Sequence, residues 1–193
     1  MQEYQPEYKP VPRPNFLSTG LPDLDRVLGG GYQTASGPSE IIGNSIGVAR
    51  LTERVIAANA TIPCFVGATD DSSGDRSGRP PGPWSCLITA PTPAAILKIL
   101  RPRLRFFLLV IVWVGMTYDE VLDFGLCHEQ LRELHHVAVE HKSALIFVGL
   151  GSVHPFCRST VRVLADPLDP NTARVRASWT NGYHLNLRGF VPR

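Results

Sequence analysis

The residues best placed to do chemistry run from Gly43 to Arg50, in the order Gly-Asn-Ser-Ile-Gly-Val-Ala-Arg, between a short apolar stretch and an amphipathic one. A glycine leading out of a strand towards a helix suggests a loop that cradles phosphate. Such a loop needs G-x-x-x-x-G-K-[ST], because backbone N–H groups surround the phosphates, the Lys neutralises β- and γ-phosphate charge, and the hydroxyl holds magnesium. Read ungapped from Gly43, the Lys position is Ala49 and the hydroxyl position is Arg50; a shift of one to use Gly47 gives Val48 and Ala49. Neither register supplies the ammonium or the magnesium ligand. What remains is a degenerate nucleotide site of Gly43, Asn44, Ser45, Gly47 and Arg50. No cofactor is expected, and only weak ATP binding through Arg50 and the Gly43 amide is left open.

Other reactive side chains form no constellation. Cys64, Cys86, Cys127 and Cys157 are too far apart for a C-x-x-C metal or redox motif and read as reduced thiols, mostly buried. His135, His136 and His141 crowd one segment without the H-E-x-x-H spacing of a metal-binding helix, so they read as helix surface, and no metal is expected. Arginines gather as Arg101, Arg103 and Arg105, as Arg76 and Arg79, and as Arg174, Arg176, Arg188 and Arg193. Two readings stand for them: ordinary solvated charge, or a phosphate-binding face with Trp84, Trp179 or Tyr183 as stacking surfaces. A net charge of +2 neither demands nor excludes a nucleic-acid partner.

The elements that must position these residues follow from periodicity. At 193 residues and 44% hydrophobic, the chain makes one domain with a sizeable core. The longest apolar run, Phe106 to Met116, is far short of the roughly 20 residues of a membrane span. The N-terminus is polar rather than a signal peptide, so a soluble protein of the cytoplasm or nucleus is expected. Residues 1–15, with Pro6, Pro10, Pro12 and Pro14, read as an extended arm.

From there the pattern predicts a helix over Leu21–Leu28 stopped by three glycines, a buried strand Ser39–Gly43, a helix Ala49–Ala60 and a strand Pro63–Ala68. A flexible loop over 69–83 follows, then a strand Trp84–Thr89 and a helix opening at Thr92-Pro93. Phe106–Val114 reads as a central strand, followed by a helix Glu129–His141 and a strand Ala144–Val148. Ser159–Ala165, Arg174–Thr180 and His184–Phe190 alternate as strands, the last two joined at Asn181-Gly182 as a hairpin. Strands and helices in alternation, followed by an antiparallel tail, imply an α/β sheet.

Two blocks carry a family resemblance. Leu17 to Gly31, LSTGLPDLDRVLGGG, resembles the segment that opens RecA-superfamily domains, and Pro38 to Gly43 resembles the T-E-I-x-G strand leading into their phosphate loop. The chain thus looks like a member of the RecA/KaiC superfamily, of the recombinase-paralogue or ImuA-like kind, with both nucleotide motifs degenerate. The resemblance implies a RecA-like three-layer α/β/α domain over 16–193, its central sheet mostly parallel with an antiparallel C-terminal hairpin.

By the same resemblance, the strand Phe106–Val112 would end in the Asp that orders the magnesium water. Here Trp113 to Met116 follow instead, and Asp119 and Glu120 read better as helix N-terminal acids. Asp70 and Asp71 match the position of the water-activating acid. With no Lys or magnesium ligand to hold a triphosphate in line, they read as loop acids. Recombinases contact DNA through loops after the fourth and fifth strands; the corresponding loops, Gly115–Cys127 and Gly149–Ser159, hold only Arg158 as a cation, with His154 as a candidate assisting group. Candidate DNA-binding residues are therefore Arg101, Arg103, Arg105, Arg158, Arg174 and Arg176. An arm that docks on a neighbouring subunit would make Tyr4, Tyr8 and Phe16 candidate partner-binding anchors, against the alternative of a mobile tail.

The reading that follows is a protein without catalytic residues, an accessory factor of DNA repair or recombination. It would work by contact with RecA-fold or repair partners, and with single-stranded DNA as a further candidate ligand, in a homo- or hetero-oligomer away from membranes. Its alternatives are an ATP-binding recombinase or KaiC-type ATPase with an atypical phosphate loop, and a SulA-like cell-division regulator.

Overall fold

A computed structural model describes residues 14–43, 45–69, 85–113, 128–149, 157–166, 169–179 and 184–190. Most of the arm, Asn44, residues 70–83 of the expected 69–83 loop with Asp70, Asp71, Arg76 and Arg79, the expected strand start Trp84, and Asp119, Glu120, His154, Tyr183 and Arg193 lie outside those residues.

Among the described residues, ten strands and four α-helices follow one another as β1 (Phe16–Leu17), α1 (Pro22–Val27), β2 (Tyr32–Gln33), β3 (Ser39–Gly43), α2 (Ser45–Ala58), β4 (Cys64–Thr69), β5 (Ser85–Ala90), α3 (Pro93–Leu100), a 3₁₀ turn (Arg101–Phe106), β6 (Leu109–Trp113), α4 (His128–Glu140), β7 (Ala144–Gly149), β8 (Ser159–Asp166), β9 (Asp169–Trp179) and β10 (His184–Phe190). Eight strands form one sheet in the order β10-β9-β8-β3-β7-β6-β4-β5. The pairs from β8 through β5 are parallel, whereas β8 with β9 and β9 with β10 are antiparallel.

Side-chain alternation explains the layers. On β6, Leu109, Ile111 and Trp113 join the core under α1 and α2, while Val110 and Val112 join the core under α3 and α4. A strand buried on both faces reads as an unbroken apolar run, and LVIVW is one. Helix α2 turns Val48, Leu51, Val55 and Ile56 inward at intervals of three and four, and α4 does so with Leu134 and Ala138. From β3 the chain crosses over α2 to β4; from β5 it returns towards β7 over α3 and α4 on the other face. Opposite directions of travel on opposite faces are what one crossover hand requires.

Several boundaries differ from expectation. The central strand starts at Leu109 rather than Phe106, because Pro102 tightens the end of α3 into the 3₁₀ turn. That turn leaves Phe106 60% exposed under the Arg105 guanidinium, 4.8 Å from the ring centroid. Helix α2 starts four residues earlier than Ala49. Strand β9 starts at Asp169, five residues before Arg174. The β9–β10 pair is present as expected, with its Asn181-Gly182 turn outside the described residues. Ser159–Asp166 is more than a tail strand, since it pairs in parallel along the whole of β3.

Candidate functional site

The leading block folds into a hydrogen-bonded cassette. Asp25, on α1, accepts the Ser18 hydroxyl at Oδ2 (2.6 Å) and the Thr19 amide at Oδ1 (2.6 Å). Asn59, just beyond α2, donates to the Ser18 carbonyl (2.7 Å) and to the Val55 carbonyl (2.7 Å), tying the cassette to that helix. Gly20 has φ +77°, and a Cβ there would stand 2.8 Å from the Arg54 carbonyl oxygen. The S-T-G and L-D of the block thus dock β1, α1 and β2 onto α2; they are structural residues.

Helix α2 then begins at Ser45, with Asn44 alone between it and β3. Gly43, the last residue of β3, has a φ of +126°, a region that side chains other than glycine rarely adopt. Residues 45–50, which the family resemblance would place beside phosphate, are helix. Gly47 and Val48 are buried in it, Val48 completely, and Ile46 in the first turn is 62% exposed. Arg50 is half-buried on the second turn.

At the end of β6, where the resemblance implies that the family carries its magnesium carboxylate, Trp113 is 1% exposed and packs in the same core as Val48 and Leu51 of α2. An apolar indole fills that position. Tyr32 lies in the same core; burial, then the charge of Asp25, pushes its phenol far above the ordinary range, so it stays neutral.

No family model and no curated protein matches this chain. Among solved structures, a RadB recombinase superposes with a TM-score of 0.68 over 90% of this chain and 96% of that chain, at 17% sequence identity. The fold is RecA-like. The expected three-layer architecture is confirmed on this point, and at that identity the likeness speaks for the fold alone.

The arginines set out as one candidate surface fall in separate places. Arg101, Arg103 and Arg105 sit on the 3₁₀ turn, where Arg101 pairs with Glu133 of α4 and Arg103 donates to the Ile99 carbonyl (2.8 Å). Arg174 and Arg176 are on β9, and from β9 to β6, the strand that the turn feeds, is four strand spacings, about 19 Å. Arg158 precedes β8, its amide bonded to the Pro38 carbonyl (2.7 Å). Arg162, passed over in the sequence, belongs with Arg174 and Arg176 on one sheet face. Its signal was alternation within STVRVLAD, an outward cation between two inward valines. Phe16, the described partner-binding candidate, pairs with Gln33 in the β1–β2 ladder and is 41% exposed; Tyr4 and Tyr8 lie outside the described residues.

A groove of about 580 Å³ opens between α3 and α4, lined by Ala95, Leu97, Lys98, Arg101 and Leu134 among others. It lies on the opposite side of the sheet from α2 and has no part in the phosphate position. Among the described residues no group of three or more His, Cys, Asp or Glu is arranged to hold a metal ion, and no described helix is long and apolar enough to cross a membrane. Cys64 and Cys157 are buried free thiols. Burial, with Cys86 adding to it, pushes the Cys64 thiol up to about 12, which keeps it protonated and unreactive.

Proposed function

We propose that this chain is a non-catalytic RecA-like accessory protein of DNA repair or recombination, working by contact with RecA-fold or repair partners. The observation that carries this reading is the filled phosphate position. Helix α2 starts at Ser45, Val48 is fully buried, and Trp113 occupies the end of β6 where a carboxylate would order magnesium. Phosphoryl transfer depends almost wholly on positioning and charge neutralisation, and these residues offer neither. A similar fold solved as a recombinase supports placing the chain's work in recombination. A RecA-type domain can still engage another through its surfaces when its own nucleotide position is shut, so partner binding is independent of ATP.

Size-exclusion chromatography of this chain mixed with a RecA-fold recombinase, with and without magnesium and ATP, tests the proposal. The expected result is one complex of equal yield in both conditions. A complex that forms only when this chain is loaded with nucleotide would contradict it.

A further inference from the structure

Helices α3 and α4 leave the groove of about 580 Å³ between them, on the face of the sheet away from α2. Leu97 and Leu134, both almost fully buried, line it together with Ala94 and Ala95. Arg101 pairs with Glu133 from one helix to the other, so the one described carboxylate of the lining is already answered. Lys98 is exposed and, among the described residues, meets no carboxylate. The groove thus sets one unbalanced positive charge over an apolar lining. A ligand that suits it brings an apolar body to fill the cleft and a carboxylate beside it.

Residues 1–13 carry that combination twice. They read MQEYQPEYKPVPR, in which Glu3-Tyr4-Gln5-Pro6 and Glu7-Tyr8-Lys9-Pro10 are tandem copies of one unit, E-Y-x-P. Segments that merely stay solvated are poor in aromatic residues. A tyrosine has an apolar body and a polar tip, so its ring fills a cleft while its hydroxyl keeps to water. Prolines hold a chain extended before it binds, which lowers the entropy lost on docking.

The point at which this segment joins the fold puts the groove within its reach. Thr34 holds Pro14, its hydroxyl donating to the Pro14 carbonyl (2.8 Å). Gly37, three residues on, meets α4: a Cβ there would stand 3.6 Å from His135 Cε1. Leu134 and Glu133, which line the groove, directly precede His135 on that helix. The route from Pro14 is therefore three residues of chain and the breadth of one helix, about 20 Å. An extended proline-rich chain advances about 3.1 Å per residue, so Tyr8 stands up to about 19 Å and Tyr4 up to about 31 Å from Pro14.

We infer that the α3–α4 groove binds the chain's own residues 1–13, with tyrosine rings of the E-Y-x-P units against Leu97 and Leu134 and their glutamates against the Lys98 ammonium. The inference goes beyond the reading of the chain as an accessory factor and does not depend on it. It places Tyr4 and Tyr8 on their own chain in place of a neighbouring subunit.

The test is zero-length carbodiimide cross-linking of the full chain, which joins a carboxylate to a lysine only where the two touch, followed by peptide mass mapping. The chain has three lysines, Lys9, Lys98 and Lys142. Lys142, exposed just past the end of α4, is the reference. Glu3 and Glu7 should link to Lys98 at least about ten-fold more than to Lys142, because a docked segment has a high effective concentration at its own site only. Tyr4→Ala/Tyr8→Ala should cut the Lys98 yield about ten-fold, the loss of one buried aromatic ring. Melting curves confirm that this variant is folded, and the wild-type ratio reads the inference without it. A mixture of isotopically heavy and light chains should give no heavy-to-light link.

Equal linking to Lys98 and Lys142, as a segment visiting the whole surface would give, would overturn the inference, and so would a Lys98 yield indifferent to the tyrosines. Heavy-to-light links at Lys98 would put the segment in the groove of a second copy and overturn its assignment to its own chain. ATP turnover, or failure to bind a RecA-fold partner, would count against the accessory reading alone.

Discussion

Gly43 lies so close to Val163 that a Cβ at position 43 would overlap the Val163 carbonyl oxygen, the neighbouring strand's backbone. The glycine that resembles the first of a phosphate loop is thus required by the β3–β8 contact itself. Gly43→Ala should cost about 2 kcal/mol or more in chemical denaturation, since it combines the overlap with an unfavourable φ. An unchanged denaturation midpoint would show that β8 does not press on this position.

Asp25 organises the amino-terminal cassette through two short hydrogen bonds, to Ser18 and Thr19. Asp25→Ala leaves a part-buried hydroxyl and amide without their acceptor, and a loss of about 2 kcal/mol is expected. Ser18→Ala removes one of those bonds and also the acceptor of the Gly20 amide (3.0 Å), so it should cost about as much. A wild-type denaturation midpoint in either variant would show that these bonds do not hold the cassette.

Trp113 shares a buried core with Val48 and Leu51 of α2. Trp113→Asp, the change that would restore a magnesium carboxylate, removes a buried indole and buries a charge in its place. It should destabilise the fold by roughly 4 kcal/mol or more in urea melts. Ala49→Lys with Arg50→Thr should confer no magnesium-dependent shift of the melting temperature by ATP, because the helix already begins at Ser45. A shift of several degrees in that variant would show that the loop re-forms.

His135 is half-buried on α4, and burial first, then its neighbour His136, hold its imidazole below the ordinary value of 6.5. The unfolded chain therefore takes up the proton first as pH falls, so this group's contribution is present above about 6.5 and is lost below it towards the folded value. Melting temperatures should drop between about pH 7 and pH 5.5, and His135→Gln should make that drop shallower. A variant that melts with the wild-type pH profile would rule His135 out as a source of the acid sensitivity.

Local pattern made much of the fold legible. The apolar run of β6, the three-and-four spacing of α2, the Thr92-Pro93 helix start, where the Thr92 hydroxyl accepts from the Ala95 amide (3.2 Å), and the alternation of β10 are all signals carried within one element. What escaped depends on distant partners. The need for glycine at position 43 comes from the Val163 carbonyl, 120 residues away. The parallel union of β8 with β3 is a choice of neighbour, and alternation within STVRVLAD does not encode it. Arg162 looked like any outward cation because its opposition to Arg176 is a matter of register. The residue types at Ala49, Arg50 and Trp113 were visible in the sequence, whereas the helix start at Ser45 and the burial of Val48 and Trp113 in one core were not.

Isothermal titration of the purified chain with magnesium and ATP, paired with an assay of phosphate release, bears most directly on the claim that this RecA-like domain works without nucleotide chemistry. With Val48 and Trp113 buried where the charges would be, the expectation is no saturable heat of binding and no phosphate released above background. Saturable binding of magnesium-ATP accompanied by steady release of phosphate would contradict it.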